Sequence, residues 1–422
     1  MRGLSAFDAR LSPASPAPLA VAFSGGGDSL ALLLLAKAWA DAHGRRVIAL
    51  TVDHGLQPAS AGWTERCRET AARLGADFQA LRWEGDKPAR GLPAAAREAR
   101  HRLLAEAARE VGARVLLMGH TADDLREGAA MRAEGSSVPD PREWSPSPAW
   151  PEGRGVFVLR PLLGAGRAEL RDWLSAQGET WIDDPANEDA RFARSRARDL
   201  LSSTAKRGRG TAGSVVEGAG PGSAAAAAPS TASRSSSPVQ DGGGVLTLPR
   251  TGLDPAAIAA ACLCAAGTLR PPRGDRLARL TERLQGPAPF TATLGGARIE
   301  ADADTVRFMR DAGESARGGL APIALQPHRP AVWDGRFEVV ADRPGLTVRA
   351  LKGLAAQLPA DQRQRLKAVP AAARPALPAT VDQSGAVSCP LLAGDPSVRA
   401  RPLALERFAA AIGRVRGEPE ME

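Results

Sequence analysis

Residues Ser24-Gly25-Gly26-Gly27-Asp28-Ser29 join a short apolar run to an apolar helical pattern. Glycines there let backbone N–H groups approach a phosphate closely and adopt positive φ. The N-terminus of the following helix adds partial positive charge. Ser24 and Ser29 offer hydroxyl hydrogen bonds. Asp28 disfavours a bare phosphate, so it predicts a cation, Mg²⁺, bridging to the phosphates. The run is neither a Walker A loop, which needs Gly-Lys-Ser/Thr, nor GxGxxG. Two further polar clusters, Asp53-His54 and residues 120–124, also follow apolar runs. Each has a plainer reading. Asp53-His54 suits a strand-end turn, His120 a structural hydrogen bond, and Asp123-Asp124 a helix N-cap.

The elements needed to position these groups alternate in type. Strand-like runs at 19–23, 47–52, 78–83 and 114–118 are separated by helical spacing at 29–40, 61–74 and 92–111. This β-α-β-α order predicts a parallel sheet with right-handed crossovers. Ligands of such sheets sit beyond the carboxyl ends of the strands, and all three polar clusters lie there. Residues 136–155, rich in Pro and Trp, read as a loop insertion. A short strand at 156–159, a helix at 168–177 and an acidic turn at 181–185 follow. Residues 202–244 are low-complexity Ser, Ala, Gly and Pro, which predicts a flexible linker. Beyond it, a second region at 245–422 carries helical patterns at 255–267 and 276–284. It also carries a hairpin around Gly295-Gly296 and short strands at 305–309 and 337–340.

Composition bounds the class. A length of 422 residues predicts two or three domains at roughly 100–200 residues each, and 44% hydrophobic content suffices for a core. The net charge of +8 rests almost wholly on arginine. It is read either as a mark of an anionic partner or as genome composition. With no tyrosine and 4% aromatics, an RNA surface built on aromatic stacking is disfavoured. Cys67, Cys262, Cys264 and Cys389 form no CxxC pair, which argues against a zinc site or a disulfide framework. The first 18 residues lack a signal-peptide pattern, and the longest apolar run is too short to span a bilayer. A soluble cytoplasmic protein is expected.

Ser-Gly-Gly-x-Asp-Ser after the first strand resembles the signature of the PP-loop ATP pyrophosphatases. Further stretches are similar to one family among them, the tRNA(Ile)-lysidine synthetases. These are Val52-Asp53-His54-Gly55-Leu56, Ala96-Arg97-Glu98-Ala99-Arg100, Gly119-His120-Thr121-Ala122-Asp123-Asp124, Arg160-Pro161-Leu162-Leu163-Gly164 and Trp181-Ile182-Asp183-Asp184-Pro185-Ala186-Asn187. The resemblance covers roughly residues 19–200. It implies an α/β, parallel-sheet PP-loop domain of the adenine nucleotide alpha hydrolase-like type over 1–201, with a smaller mostly helical or mixed region at 245–422 that docks tRNA. Leu125 and Gly128 stand where the family usually has Gln and Thr, with Glu127 kept, and His101 stands where it usually has Tyr.

The resemblance also implies a reaction: adenylation of the wobble cytidine of an isoleucine tRNA with a CAU anticodon, then addition of free L-lysine at C2. ATP is a substrate and Mg²⁺ accompanies it. The chemistry fits, because the cytosine carbonyl oxygen leaves poorly until it is adenylated. Ser24, Gly25, Gly26, Gly27, Asp28 and Ser29 would hold ATP, and Asp28 and Asp124 a metal. Asp123 or Asp124 would bind metal or take the lysine proton, His120 would contact the α-phosphate or move a proton, and Arg97 would neutralise phosphate charge. Arg191, Arg194 and Arg198 at helical spacing are candidates for the tRNA backbone, or an ordinary solvated face. A homodimer is compatible with this reading. A thiolase of the superfamily should carry placed cysteines, and a non-catalytic RNA-binding module stays open because of Leu125 and Gly128.

Overall fold

The computed structural model describes residues 4–57, 59–136, 140–183, 239–241, 243–313, 320–394 and 396–420. They form two compact units. One holds residues up to 183 together with 415–420, the other residues 239–414. The stretch 202–238 of the expected linker, and Arg191, Arg194 and Arg198, lie outside the described residues.

The first unit begins with helix α1 (Leu4–Arg10) and strand β1 (Leu19–Ala22). Then come α2 (Gly27–Ala42), β2 (Val47–Asp53), α3 (Ser60–Arg73), β3 (Asp77–Arg82), α4 (Leu92–Glu110) and β4 (Val115–Leu117). Helix α5 (Ala122–Ala133), β5 (Trp144–Pro146), β6 (Phe157–Leu159) and α6 (Arg167–Ala176) complete it. The six strands form one sheet in the order β3-β2-β1-β4-β6-β5. All neighbours are parallel except β5, which pairs antiparallel with β6. The segment 136–155, expected to be a loop, therefore contains an edge strand. Three residues are too few to show period-two alternation, and a proline belongs on an edge.

Successive strand residues face opposite sides, and both sides are buried. Leu19, Val21, Val47, Ala49, Val115 and Leu117 join the core under α1, α2, α3 and α6. Ala20, Ile48, Leu50, Leu116 and Val158 join the other, under α4. That is why the strands read as near-continuous apolar runs. The chain steps outward from β1 to β2 and β3, then returns to the far side of β1 with β4. The carboxyl ends of β1 and β4 thus flank a topological switch point, the place where such sheets open a ligand crevice.

The second unit is mixed, and more of it is strand than its sequence pattern suggests. Strands β7 (Val239–Asp241), β8 (Val245–Pro249), β9 (Phe290–Leu294), β10 (Ala297–Ala301) and β11 (Thr305–Arg310) form a sheet in the order β7-β8-β11-β10-β9. Helices α7 (Pro255–Ala266) and α8 (Asp275–Gln285) share their core with it. Two smaller antiparallel sheets follow. One joins β12 (Ile323–Ala324), β15 (Thr347–Ala350), β16 (Pro378–Val381) and β17 (Val387–Ser388), and the other β13 (Ala331–Trp333), β14 (Phe337–Ala341) and β18 (Val398–Pro402). Helices α9 (Ala360–Leu366) and α10 (Ala404–Ala411) complete the unit.

Candidate active site

The glycine loop sits at the switch point, between β1 and the first turn of α2. Gly25 has φ +80°, and a Cβ there would lie 2.5 Å from Ile182 Cδ1 and 3.0 Å from Cys67 Sγ. Only glycine fits both the conformation and the space. Ile182 N–H donates to Gly25 O at 2.9 Å, which ties the 181–183 turn to the loop. Ser29 Oγ donates to Gly26 O at 2.9 Å and lies 3.2 Å from Ser24 Oγ. The helix start makes no side-chain cap hydrogen bond, so its first N–H groups remain available to an anion.

The end of β4 comes close to this loop. A Cβ on Gly119 would meet Asp28 O at 3.0 Å and Ser29 Cα at 3.3 Å. A glycine is needed for that approach, and it brings residues 120–124 beside the phosphate loop. Thr121 caps α5 in a capping box, with Asp124 Oδ2 accepting from Thr121 N–H at 2.9 Å and from its hydroxyl at 3.1 Å. Asp123 Oδ2 accepts the first N–H of α6, Arg167 N, at 2.7 Å, while Asp123 Oδ1 accepts from Arg126 at 2.8 Å. The adjacent aspartates thus cap two different helices, and both belong to one charged cluster.

That cluster is organised by Arg167, which sequence reasoning did not single out. Its Nε donates to Asp28 Oδ2 at 3.0 Å and its NH1 to Glu127 Oε1 at 3.1 Å, with NH2 3.9 Å from Asp124 Oδ2. Burial would lower the Arg167 pKa, but Asp28 and Glu127 hold it above its ordinary value. Burial raises the Asp28 pKa, Arg167 opposes the rise, and Asp124 adds to it. For Asp123, burial works upward, yet the bonds from Arg167 N–H and Arg126 carry it below the usual carboxylate range. The partners show an acidic excess around one guanidinium, a place with room for further positive charge. A sequence signal existed, since Arg167 follows the Arg160-Pro161-Leu162-Leu163-Gly164 stretch at a helix start. Its convergence with acids some 40 to 140 positions away is a tertiary fact.

A basic group lies near these acids. Arg97, Arg100 and His101 lie three and four residues apart on α4, so they share one side of it. Arg160, just after β6, is buried, donates to Arg142 O at 2.7 Å, and has a pKa lowered to about 10 by burial and by Arg97. His120 is 9% exposed and its Nδ1 has no hydrogen-bond partner among the described residues. Burial, then Arg160, push its pKa down to about 3. His101 behaves alike, lowered to about 3 by burial and by Arg100 and Arg97. Both rings are therefore neutral near pH 7, and His120 can donate or accept a hydrogen bond. His54, after β2, stacks edge-on to Trp83 at 6.0 Å, and burial and Arg100 lower its pKa. Arg160 is buried beside the half-buried Arg100 and the exposed Arg97, and such adjoining guanidinium groups favour a bound anion.

The predicted residues separate as follows. The structure brings together Ser24, Gly25, Gly26, Gly27, Asp28, Ser29, Asp123 and Asp124, and it places Arg97 and His120 in one basic group. It adds Arg167, Glu127, Arg160, Arg100 and His101. A divalent cation fits best at Asp28, whose Oδ1 is buried with no hydrogen-bond partner. Among the described residues no three His, Cys, Asp or Glu side chains form a metal cage. That donor set suits Mg²⁺, which takes one or two carboxylates and completes its sphere with phosphate and water.

Parallel sheet, switch-point loop and flanking charges define a nucleotide-binding domain of the PP-loop class, and the PP-loop domain family matches residues 5–204. The chain is 54% identical to the tRNA(Ile)-lysidine synthase of Caulobacter vibrioides, over 97% of its own length and 96% of that protein's. It is 37% identical to the synthase of Hyphomonas neptunium over 73% and 85%, and 33% identical to that of Rhizobium meliloti over 80% and 76%. The chain belongs to the tRNA(Ile)-lysidine synthase family.

Proposed function

We propose that this chain is an ATP-dependent ligase that joins lysine to C2 of the wobble cytidine (position 34) of the CAU-anticodon isoleucine tRNA, giving lysidine, AMP and diphosphate. The observation that carries it is the placement of a phosphate loop, an acidic cluster and a basic group with a neutral histidine around one switch point. The cytidine carbonyl oxygen attacks the α-phosphorus and diphosphate leaves. The amine of lysine then adds at C2, loses a proton, and AMP leaves.

Loop N–H groups at residues 25–29 and the start of α2 bind the departing diphosphate. Arg97 and Arg160 stabilise charge on the α-phosphoryl group. His120, neutral near pH 7, hydrogen-bonds that group or takes a proton. Asp28, through its unpartnered Oδ1, and Asp124 would hold Mg²⁺, which when bound would neutralise phosphate charge. Asp123 and Asp124 are the alternatives for receiving the lysine proton, and the acidic excess around Arg167 suits an incoming ammonium. We assign Arg191, Arg194 and Arg198, and the region 245–422, to the tRNA. A homodimer is compatible with this reading, and the mass in solution decides it. Among the described residues no helix is long and apolar enough to cross a membrane, and we assign the enzyme to the cytoplasm.

A sulfur-transferring reading is disfavoured by the thiols. Cys67, Cys262, Cys264 and Cys389 are all buried, and burial pushes their pKa values up to about 11, 12, 12 and 11. Such thiols are poor nucleophiles.

The deciding assay combines the protein with ATP-Mg²⁺, CAU isoleucine tRNA and radiolabelled lysine. ATP-dependent incorporation supports the proposal. ATP cleavage without incorporation would favour another PP-loop reaction, and RNA binding without any ATP turnover a non-catalytic module. Asp28→Ala should abolish turnover while leaving the circular dichroism spectrum intact.

A further inference from the structure

Consecutive glycines give the loop at Gly25, Gly26 and Gly27 more backbone freedom than other residue types would. Its internal ties are few. Ser24 N–H donates to Ser29 Oγ at 3.3 Å, the two hydroxyls lie 3.2 Å apart, and Ser29 Oγ donates to Gly26 O at 2.9 Å. A loop that holds phosphate through its N–H groups binds more tightly when those groups are aimed in advance. The remaining order comes from outside the loop, from the turn at 180–183 that follows α6.

All three glycines meet the same two residues of that turn. Ile182 N–H donates to Gly25 O at 2.9 Å, and the Ile182 side chain fills the space beside Gly25, with Cδ1 2.5 Å from where a Cβ would stand. A Cβ on Gly26 would lie 3.8 Å from Ile182 O, and one on Gly27 would lie 3.5 Å from Trp181 Cδ2 and 3.6 Å from its Cγ. The glycines therefore serve two neighbours, a phosphate through their N–H groups and this turn through their missing side chains.

The turn is itself anchored. Arg171 Cζ lies 5.7 Å from the centre of the Trp181 ring, a cation–π distance. Asp183 Oδ1 accepts from Trp181 Nε1 at 3.2 Å and pairs with Arg171 at 3.4 Å. Just before the turn, Glu179 accepts both branches of the Arg73 guanidinium at the end of α3. Arg171 stands four residues after Arg167, so both lie on one face of α6. That face reaches Gly27 through Arg171 and Trp181, and reaches the next residue, Asp28, through Arg167. A cavity of about 290 Å³ is lined by Gly25, Trp181 and Ile182 together with Phe23, Leu30 and Thr70, so the turn is held at a few points rather than packed on every side. Removing its ring costs the unit less than removing a fully enclosed one.

We propose that Trp181 and Ile182 are positioning residues of the ATP site, gripping Gly25, Gly26 and Gly27 from the side and holding the loop in its phosphate-binding shape. That ATP occupies the loop rests on the function proposed above, while the grip rests on the contacts themselves.

The test uses the full-length chain with neither tRNA nor lysine present, and reads the Kd for ATP-Mg²⁺ by calorimetry. Thermal denaturation first shows that each variant is folded at the assay temperature. Trp181→Ala should raise that Kd about tenfold, because the ligand must then order the loop itself. In lysine incorporation the KM for ATP should rise in step while kcat at saturating ATP stays within about threefold, since the turn acts before the chemistry. Trp181→Phe keeps an aromatic ring beside Gly27 and should stay within about twofold of the wild-type Kd. If Trp181→Ala does not fold, Ile182→Ala, which keeps the ring and the backbone bond to Gly25, should raise the Kd about threefold. A folded Trp181→Ala protein, or in its place Ile182→Ala, with the wild-type Kd for ATP overturns the proposal. So does a loss confined to kcat, or a Trp181→Phe variant as impaired as Trp181→Ala. Wild-type protein that binds ATP but incorporates no lysine would instead overturn the functional reading, and the calorimetric comparison would still decide the role of the turn.

Discussion

Arg167 makes contacts no other side chain type reproduces. Its fork reaches Asp28 and Glu127 while its own N–H is held by Asp123. It is a positioning residue, because it sets how Asp28 faces the phosphate loop and keeps the carboxylates from repelling one another. Arg167→Ala should lower kcat/KM for lysine incorporation about 100-fold, the size typical of a lost preorganised charge. It should also shift the acid limb of the pH profile upward, since Arg167 holds the Asp28 pKa down. Arg167→Lys should restore the pH profile more than the rate, because a point charge lacks the fork. A rate loss with no shift of that limb would contradict the assignment. The buried histidines carry a second consequence. His101 has a folded pKa near 3, below its unfolded value of about 6.5. The unfolded chain therefore binds more protons between those values, and stability is lost as pH falls from about 6.5 toward 3. His101→Gln removes one such group. Relative to wild type, the variant should gain about 1.4 kcal/mol per pH unit below 6, measured by urea unfolding. A pH-independent difference would refute the neutral buried ring.

At the scale of elements, the site depends on where helices begin. Helices α2, α5 and α6 start at one end of the sheet, and Ala122 N–H donates to Ala165 O at 2.9 Å, linking the starts of α5 and α6. The loop before α2 tolerates no side chain at Gly25. Gly25→Ala meets positive φ and contacts with Ile182 and Cys67 together, so a loss of about 1–3 kcal/mol is expected. Thermal denaturation reads that loss, and a parallel rise in KM for ATP shows that the loop has moved. An unchanged Tm would mean the 181–183 turn yields freely. The parallel strands, the α2 and α4 helices and the 295–296 hairpin were legible because apolar runs and glycine stops are local signals. Edge strand β5 and the short strands β12, β13 and β17 were not, because two or three residues show no period and pairing partners are distant.

At the scale of the molecule, the chain returns to its first unit. Glu418 receives two bonds from the Arg45 guanidinium, both 2.7 Å, and accepts from Ser12 N–H and Ser15 Oγ. The two side chains are 2% and 1% exposed. Around them Arg10 donates to Arg416 O, Glu418 N–H to Arg10 O, and Trp144 Nε1 to Val415 O. The expected boundaries, 1–201 and 245–422, did not foresee this closing segment. Glu418→Ala strands a buried guanidinium and should destabilise the first unit by about 3–5 kcal/mol. The paired replacement Arg45→Met with Glu418→Leu should recover most of it, as urea unfolding of the full chain would show. Equal stability of Glu418→Ala and wild type would sink the idea that this segment clamps the unit.

What the sequence determined by itself was the class of chemistry. Ser24-Gly25-Gly26-Gly27-Asp28-Ser29, Asp53-His54, the 120–124 cluster and the Asp183-Asp184 turn are contiguous, and contiguous residues declare their chemistry through type and spacing. Tertiary structure alone decided which charges meet. Arg167 reaches Asp28 across 139 positions, and Arg45 reaches Glu418 across 373. No local pattern encodes such pairs, because electrostatic and packing energies depend on separation in space, which the folded sheet sets and the order of residues does not.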